Sequence, residues 1–380
     1  MNLPKDLPKI SIIIPVRNAD RTLDTMFKYI FEIDYPADKT EIIIADGDST
    51  DATVDVTKKW QKEHSNIKFV QVKNCKSPGE ARNAAISEVT GKYVLFTDGD
   101  CAPNRDWAKK LIAPFFMDPK IGGIGGDVLT LRTDLSNDTE SYCEQVHFLS
   151  PTGRCGRKDS GYMPIVQKNL PHEVNGGDNS PFFATANVAF SKEAIDKIGG
   201  KFWDEKTGED VDFSLRVMAS GYKLYYEIDA IVKHMHRVSM ESYLKQWYGY
   251  GYGHPLLIKN HSKGVFEVVL QIGRGISFSI PSPVKGIIHF GSFHLMHIFA
   301  ALTVLSALAS IFTLNRSFPL ASLLLFVFFT VKYFWPCLKL KPMNKFFAWS
   351  KIRYLTNYSF MKGAYDGTKE FGGICIEPSW

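Results

Sequence analysis

The chain has 380 residues, 45% hydrophobic and 22% charged, which excludes a disordered, collagen-like or disulfide-dense protein and suits two or three structural units. Its 45 Lys and Arg against 40 Asp and Glu leave a net charge of +5, too weak a bias to point to nucleic acid. Six cysteines without a paired pattern fit a reducing compartment, and the opening MNLPKDLPKI has no apolar signal-peptide core.

Short apolar runs bounded by turn signals come first: ISIII (10–14), EIIIA (41–45), IKFVQV (67–72) and KYVLFT (92–97). Helical patterns separate them. One follows Asn18 with Leu23, Phe27 and Ile30 on one face; one is capped by Ser49 or Thr50 and runs to Glu63; one follows Ser77-Pro78-Gly79 and ends at Gly91. Unbroken apolar strands alternating with helices predict a parallel sheet covered on both faces, with ligands at the carboxyl ends of the strands. Residues 132–182 read as an insertion; its Cys143, His147, Cys155 and His172 lack a recognised zinc spacing. The run GGIGGD (122–127) lacks the G-x-G-x-x-G spacing of a dinucleotide fingerprint.

Beyond residue 255 the character changes. Residues 256–285, containing GVFEVVLQIGRGISFSIPSP, read as an amphipathic helix at a membrane surface. From Gly286, 29 residues carry no Lys, Arg, Asp or Glu, and SFPLASLLLFVFFTVKYFWPCL follows after Asn315 and Arg316. Both exceed the roughly 20 apolar residues that cross a bilayer, so a helical hairpin is expected over 286–336. His289, His294 and His297 within it are expected to form hydrogen bonds rather than a metal site. Lys259, Lys263, Arg274 and Lys285 precede the hairpin, Lys339, Lys341 and Lys345 follow it, and Arg316 sits at its tip. This bias places both flanks in the cytoplasm. Residues 337–380 read as a basic, aromatic interfacial helix and tail.

The chemistry gathers just after the strands. Thr97-Asp98-Gly99-Asp100 ends one run, Asp46-Gly47-Asp48-Ser49-Thr50-Asp51 another, and Pro15-Val16-Arg17-Asn18 the first. Two carboxylates around one glycine at a sheet mouth suit a hard divalent cation. Gly208-Glu209-Asp210-Val211-Asp212 begins a further helix with carboxylates suited to proton abstraction or to the helix dipole.

These segments together resemble a family 2 glycosyltransferase with the GT-A fold. The matching text is IIIPVRNADRTL, EIIIADGDSTDAT, SPGEARNAAISEVTGKYVLFTDGD and NVAFSKEAIDKIGGKFWDEKTGEDVDFSLRVMASGYKLYY, across roughly residues 9–250. The resemblance implies an α/β, Rossmann-like, mostly parallel sheet over residues 1–255 and a sugar–nucleotide donor, UDP- or GDP-linked. It also implies Mg2+ or Mn2+ and inversion at the anomeric carbon. Carried over by position, Pro15, Val16, Arg17 and Asn18 would border the nucleotide, with Asp46 on the base, Asp48 beside it, and Arg82, Asp98 and Gly99 facing the donor. The family's second Asp is Gly47 here, which leaves the base open. Asp98, Asp100 and His234 would hold the metal, His236 being the other candidate. Asp210 would be the catalytic base and Glu209 its companion, with Asn187, Gln246 and Trp247 on the acceptor side and the 132–182 insertion as an acceptor-side loop. The processive Gln-x-x-Arg-Trp pattern is replaced by Lys245-Gln246-Trp247 and the aromatic–glycine run Tyr248 to Gly253, which would either stack on the acceptor or pack against the membrane part. The implied activity is transfer of one sugar to a lipid-linked or glycan acceptor by a multi-pass membrane protein whose catalytic part is cytoplasmic and which contacts membrane lipids. The rivals are a nucleotidyltransferase, disfavoured because the first strand lacks a glycine-rich Arg-Lys loop, and a non-catalytic scaffold.

Overall fold

Runs of isoleucine and valine build the first strands of the computed structural model, which describes residues 3–270, 276–313 and 316–377. The chain divides into two units, Met1–Asn169 with Glu173–Arg237, and Leu170–His172 with Val238–Trp380. In chain order the first holds β1 (Ile10–Val16), α1 (Asp20–Phe31), β2 (Thr40–Asp46), α2 (Thr53–Glu63), β3 (Ile67–Gln71), α3 (Pro78–Ile86), β4 (Tyr93–Phe96), β5 (Cys101–Pro103), α4 (Trp107–Ile112), β6 (Ile121–Thr130), α5 (Asp138–Gln145), α6 (Pro151–Cys155) and β7 (Gly161–Tyr162). After α7 (Pro171–Val174), which straddles the two units, come β8 (Val188–Ser191), α8 (Lys192–Lys197), α9 (Glu209–Ala219) and β9 (Lys223–His234).

The strand order is β3-β2-β1-β4-β8-β6-β9-β5, with β7 beside β9. The first four of these strands pair in parallel as their apolar runs imply; β8 then runs antiparallel to both β4 and β6, so the sheet as a whole is mixed rather than mostly parallel. Every residue of β2 is buried, as expected for a strand covered on both faces. Ser77 caps α3 by accepting from the Glu80 amide, but the helix stops at Ile86 rather than Gly91. α2 begins at Thr53 without a side-chain cap. Ser49 and Thr50 are committed elsewhere, to the Asn18 turn.

The second unit holds α10 (Met240–His261), β10 (Val265–Leu270), β11 (Ile276–Pro281), β12 (Gly286–Phe290), α11 (Ser292–Thr313), α12 (Ser317–Lys339), α13 (Phe346–Phe371) and β13 (Ile374–Ile376). The expected surface helix in 256–285 is instead the end of α10 and two antiparallel strands, β10 and β11. Ile276, Phe278 and Ile280 alternate with serine, a period-two pattern rich in β-branched and aromatic residues. Arg274 lies outside the described residues. The first apolar run likewise opens as strand β12, paired with β10 and β13, before α11 begins. The unit boundary falls after Arg237 rather than at 255, because α10 belongs with the C-terminal elements.

α11 and α12 form a hairpin, and both are long and apolar enough to cross a membrane. Leu305, Leu308 and Ile311 stand more than half exposed, the reverse of a soluble core. Phe299 stacks on Phe329 at 5.5 Å. His297 donates from Nδ1 to the Phe293 carbonyl and accepts at Nε2 from the Tyr354 hydroxyl, at 2.7 and 3.0 Å. His289 faces Glu377 at 3.3 Å, while neither ring nitrogen of His294 is hydrogen-bonded among the described residues. The 337–380 helix, α13, buries Trp349, Ile352, Phe360 and Ala364. It packs on α10 at the aromatic–glycine run: a Cβ on Gly251 would sit 2.0 Å from the Phe360 carbonyl oxygen, and one on Gly363 2.0 Å from that of Tyr248. Glycines here let two backbones touch.

Candidate active site

Parallel register places Val16 beside Asp46, so the turn after β1 and the loop after β2 open at the same sheet edge. The two are stitched together. The Asn18 amide donates to Ser49 Oγ, Asn18 Oδ1 accepts from the Thr50 amide at 2.9 Å, and Arg17 donates to the Cys75 carbonyl. Asp46 is fully buried; its Oδ2 accepts from the Ser49 amide and Gln71, while Oδ1 has no partner among the described residues. A buried acceptor without a donor is costly unless a ligand supplies one. Asp48 points elsewhere: it accepts from the Asn74 amide and Lys73, which hold its carboxyl below the ordinary range.

β4 pairs with β1 and delivers Asp98, Gly99 and Asp100 to the same edge. A Cβ on Gly99 would lie 2.8 Å from Val16 Cγ1, so glycine lets the turn approach its own β1. His234 arrives from far along the chain because β9 runs antiparallel to β5, setting His234 opposite Cys101. Its Nε2 stands 3.3 Å from an Asp100 oxygen, and its Nδ1 is buried without a hydrogen bond. Donor atoms of Asp98, Asp100, Cys101 and His234 all lie within 4.8 Å of one another. Burial and the Asp100 and Asp98 charges raise the Cys101 thiol well above its ordinary range, and beside it stand two carboxylates and an imidazole. That O,O,N set fits Mg2+ or Mn2+. His236 is engaged with the Thr130 hydroxyl at 2.9 Å and is outside this group. Cys101 was not singled out from sequence, although it directly follows Asp100.

Arg82, on α3, joins the two halves of the pocket. Its guanidinium donates to Asp98 at 3.2 Å and to Glu209 at 2.8 Å while almost wholly buried. Burial opposes its charge, but Asp98 and Glu209 more than offset this and raise its pKa. Burial raises the Asp98 carboxyl, with Arg82 pulling the other way. Glu209 opens α9 behind Gly208, and Asp210 follows, accepting from the Val211 amide at 2.8 Å. Burial and the Glu209 charge push Asp210 up to about 7. A carboxyl poised there can take a proton near neutral pH.

In the insertion, Arg154 is held by the Gly177, Ser180 and Phe182 carbonyls and feels the Asp210 charge. Nothing in the sequence marked it. Cys143, His147, Cys155 and His172 are not brought together as a metal group among the described residues. Asn187 does not serve the acceptor side. At 1% exposure it accepts from the Trp107 indole and donates to the Asp127 and Ala230 carbonyls, bracing the sheet. Gln246 and Trp247 lie in α10 of the second unit, where Gln246 donates to the Tyr250 hydroxyl and Trp247 is buried against Phe360.

A sheet mouth carrying a buried aspartate, an acid–glycine–acid turn and an acidic helix start defines a GT-A glycosyltransferase fold. The sequence profile described as Glycosyl transferase family 2 matches residues 11–199, and the chain belongs to that family. It is 26% identical over 279 residues to a dolichyl N-acetyl-alpha-D-glucosaminyl phosphate 3-beta-D-2,3-diacetamido-2,3-dideoxy-beta-D-glucuronosyltransferase of Methanococcus voltae, covering 72% of this chain and 80% of that protein. It is 23% identical to glycosyltransferase AglE of Haloferax volcanii, over 63% of this chain and 71% of the other. The mannosyltransferase PcManGT of Pyrobaculum calidifontis, solved with GDP-Man and Mn2+, shares its fold with a TM-score of 0.56 at 18% identity, covering 95% of this chain and 88% of that one.

Proposed function

We propose that the protein is an inverting, metal-dependent glycosyltransferase that moves a single sugar from a UDP- or GDP-sugar to the hydroxyl or phosphate of a lipid-linked acceptor, at the cytoplasmic face of a membrane. The observation that carries this is Arg82, bonded at once to Asp98 of the acid–glycine–acid turn and to Glu209 beside Asp210. Donor-side and acceptor-side acids thereby share one pocket.

In this reading the Pro15–Asn18 turn borders the nucleotide and Asp46 Oδ1 accepts from its base. Asp98, Asp100 and His234 would hold Mg2+ or Mn2+, which neutralises charge on the departing diphosphate. Asp210 accepts the proton of the acceptor hydroxyl as its oxygen bonds to the anomeric carbon. The bond to the diphosphate breaks on the opposite face, with the electron pair leaving on the diphosphate. Arg82 fixes Glu209, so Asp210 is presented from a rigid helix start. The relatives' names, one of them a dolichyl-linked acceptor and one structure a GDP-mannose complex, support a lipid-linked acceptor and a sugar–nucleotide donor. The exposed apolar hairpin supports membrane residence. A Trp247 buried in α10 and the missing Gln-x-x-Arg-Trp pattern support addition of one sugar rather than a polymer.

The test is a panel of UDP- and GDP-sugars incubated with full-length protein, Mn2+ and a membrane lipid extract, read by nucleoside diphosphate release. Release from one donor that disappears on EDTA treatment supports the proposal; no release from any donor, or full release by Asp210→Asn, overturns it.

A further inference from the structure

The second unit carries a cluster of metal-ligating groups that the transfer reaction does not use. His254 on α10, Cys375 on β13 and Glu377 just beyond it bring one donor atom each within 4.8 Å of one another. We propose that these three residues form a zinc site. His254 is only 6% exposed, and its Nδ1 is buried with no hydrogen-bond partner among the described residues. Cys375 is a free thiol, 2% exposed. A buried imidazole without a partner beside a buried thiol and a carboxylate is an unsatisfied arrangement that a cation completes.

The donor set selects the ion. Sulfur excludes Mg2+ and Ca2+, whereas N, S and O together in a closed site suit Zn2+. Supporting contacts are in place. His289 on β12 meets the Glu377 carboxylate at 3.3 Å, as outer-shell partners of metal ligands do. Gly372, at φ 83°, ends α13, and Gly373 runs so close to α10 that a Cβ would lie 2.1 Å from the Pro255 carbonyl oxygen. β13 then pairs with β12, setting Cys375 beside Ile287. Zinc bound here clasps the strand after α13 to α10.

The probe is Co2+ added to metal-stripped, full-length protein in detergent under reducing conditions, followed by competition with Zn2+. A thiolate-to-cobalt charge-transfer band is expected, lost in Cys375→Ser and retained in Cys101→Ser. His289→Ala should weaken Zn2+ binding about 10–100-fold, and His254→Gln by at least as much. His254→Gln also serves if Cys375→Ser does not fold, since the wild type should then hold one more zinc than the variant. No band in the wild type, a band that survives Cys375→Ser, or zinc content unchanged by His254→Gln overturns the proposal.

Discussion

Burial and the adjacent Glu209 carboxylate keep Asp210 protonated up to about pH 7, and a general base works only in its ionised form. Turnover should therefore climb as pH rises through 7 and fall about tenfold per unit below it; a kcat–pH profile that stays flat across neutrality contradicts this. Asp210→Asn should lower turnover by about 10²–10⁴-fold while leaving donor affinity intact, read by direct binding of the nucleoside diphosphate. Arg82→Ala strands Asp98 and Glu209 without their shared cation, and loss of one partner of a buried pair costs about 3–5 kcal/mol, measurable by denaturant unfolding. Asp46, Asp98 and Asp100 stood out because each follows an apolar run, whereas Asp210 and His234 were singled out only through the family resemblance. Side-chain direction was not legible. Asp48 turns toward Lys73 and Asn187 into the core, and neither orientation leaves a mark in the local text.

At the scale of elements, the first four strands could be read directly, since fully buried strands appear as unbroken apolar runs. The antiparallel β8, and the pairing that carries β9 back to β5, depend on contacts between distant segments that no window contains. β10 and β11 were misassigned as a helix because overall amphipathicity outweighed the period-two alternation of Ile276, Phe278 and Ile280. The aromatic–glycine run left open whether it meets sugar or protein; in the fold its glycines meet α13. Gly251→Val should accordingly destabilise the second unit by about 1–3 kcal/mol through overpacking, seen as a lower melting temperature in detergent.

For the molecule as a whole, the hairpin was the plainest feature in the sequence, because length and the absence of charge are properties of composition alone. Val304→Lys puts a charge on an exposed apolar face near the middle of the Ser292–Phe312 span. At the centre of a spanning helix this costs about 2.5–3.5 kcal/mol, so the membrane-retained fraction after alkaline washing should fall. Wild-type protein recovered wholly in the wash would contradict a spanning hairpin. The pairing of β5 with β9 carries a different kind of consequence. Since the imidazole reaches the acidic turn only on the closing strand, a nascent chain lacking residue 234 owns two thirds of a cage and cannot latch it. In the proposed metal-holding role of these residues, ion loading and completion of the sheet are thermodynamically linked: Mn2+ at a hundredfold excess over its Kd should add about 2.7 kcal/mol of stability, registered as slower proteolysis of the first unit.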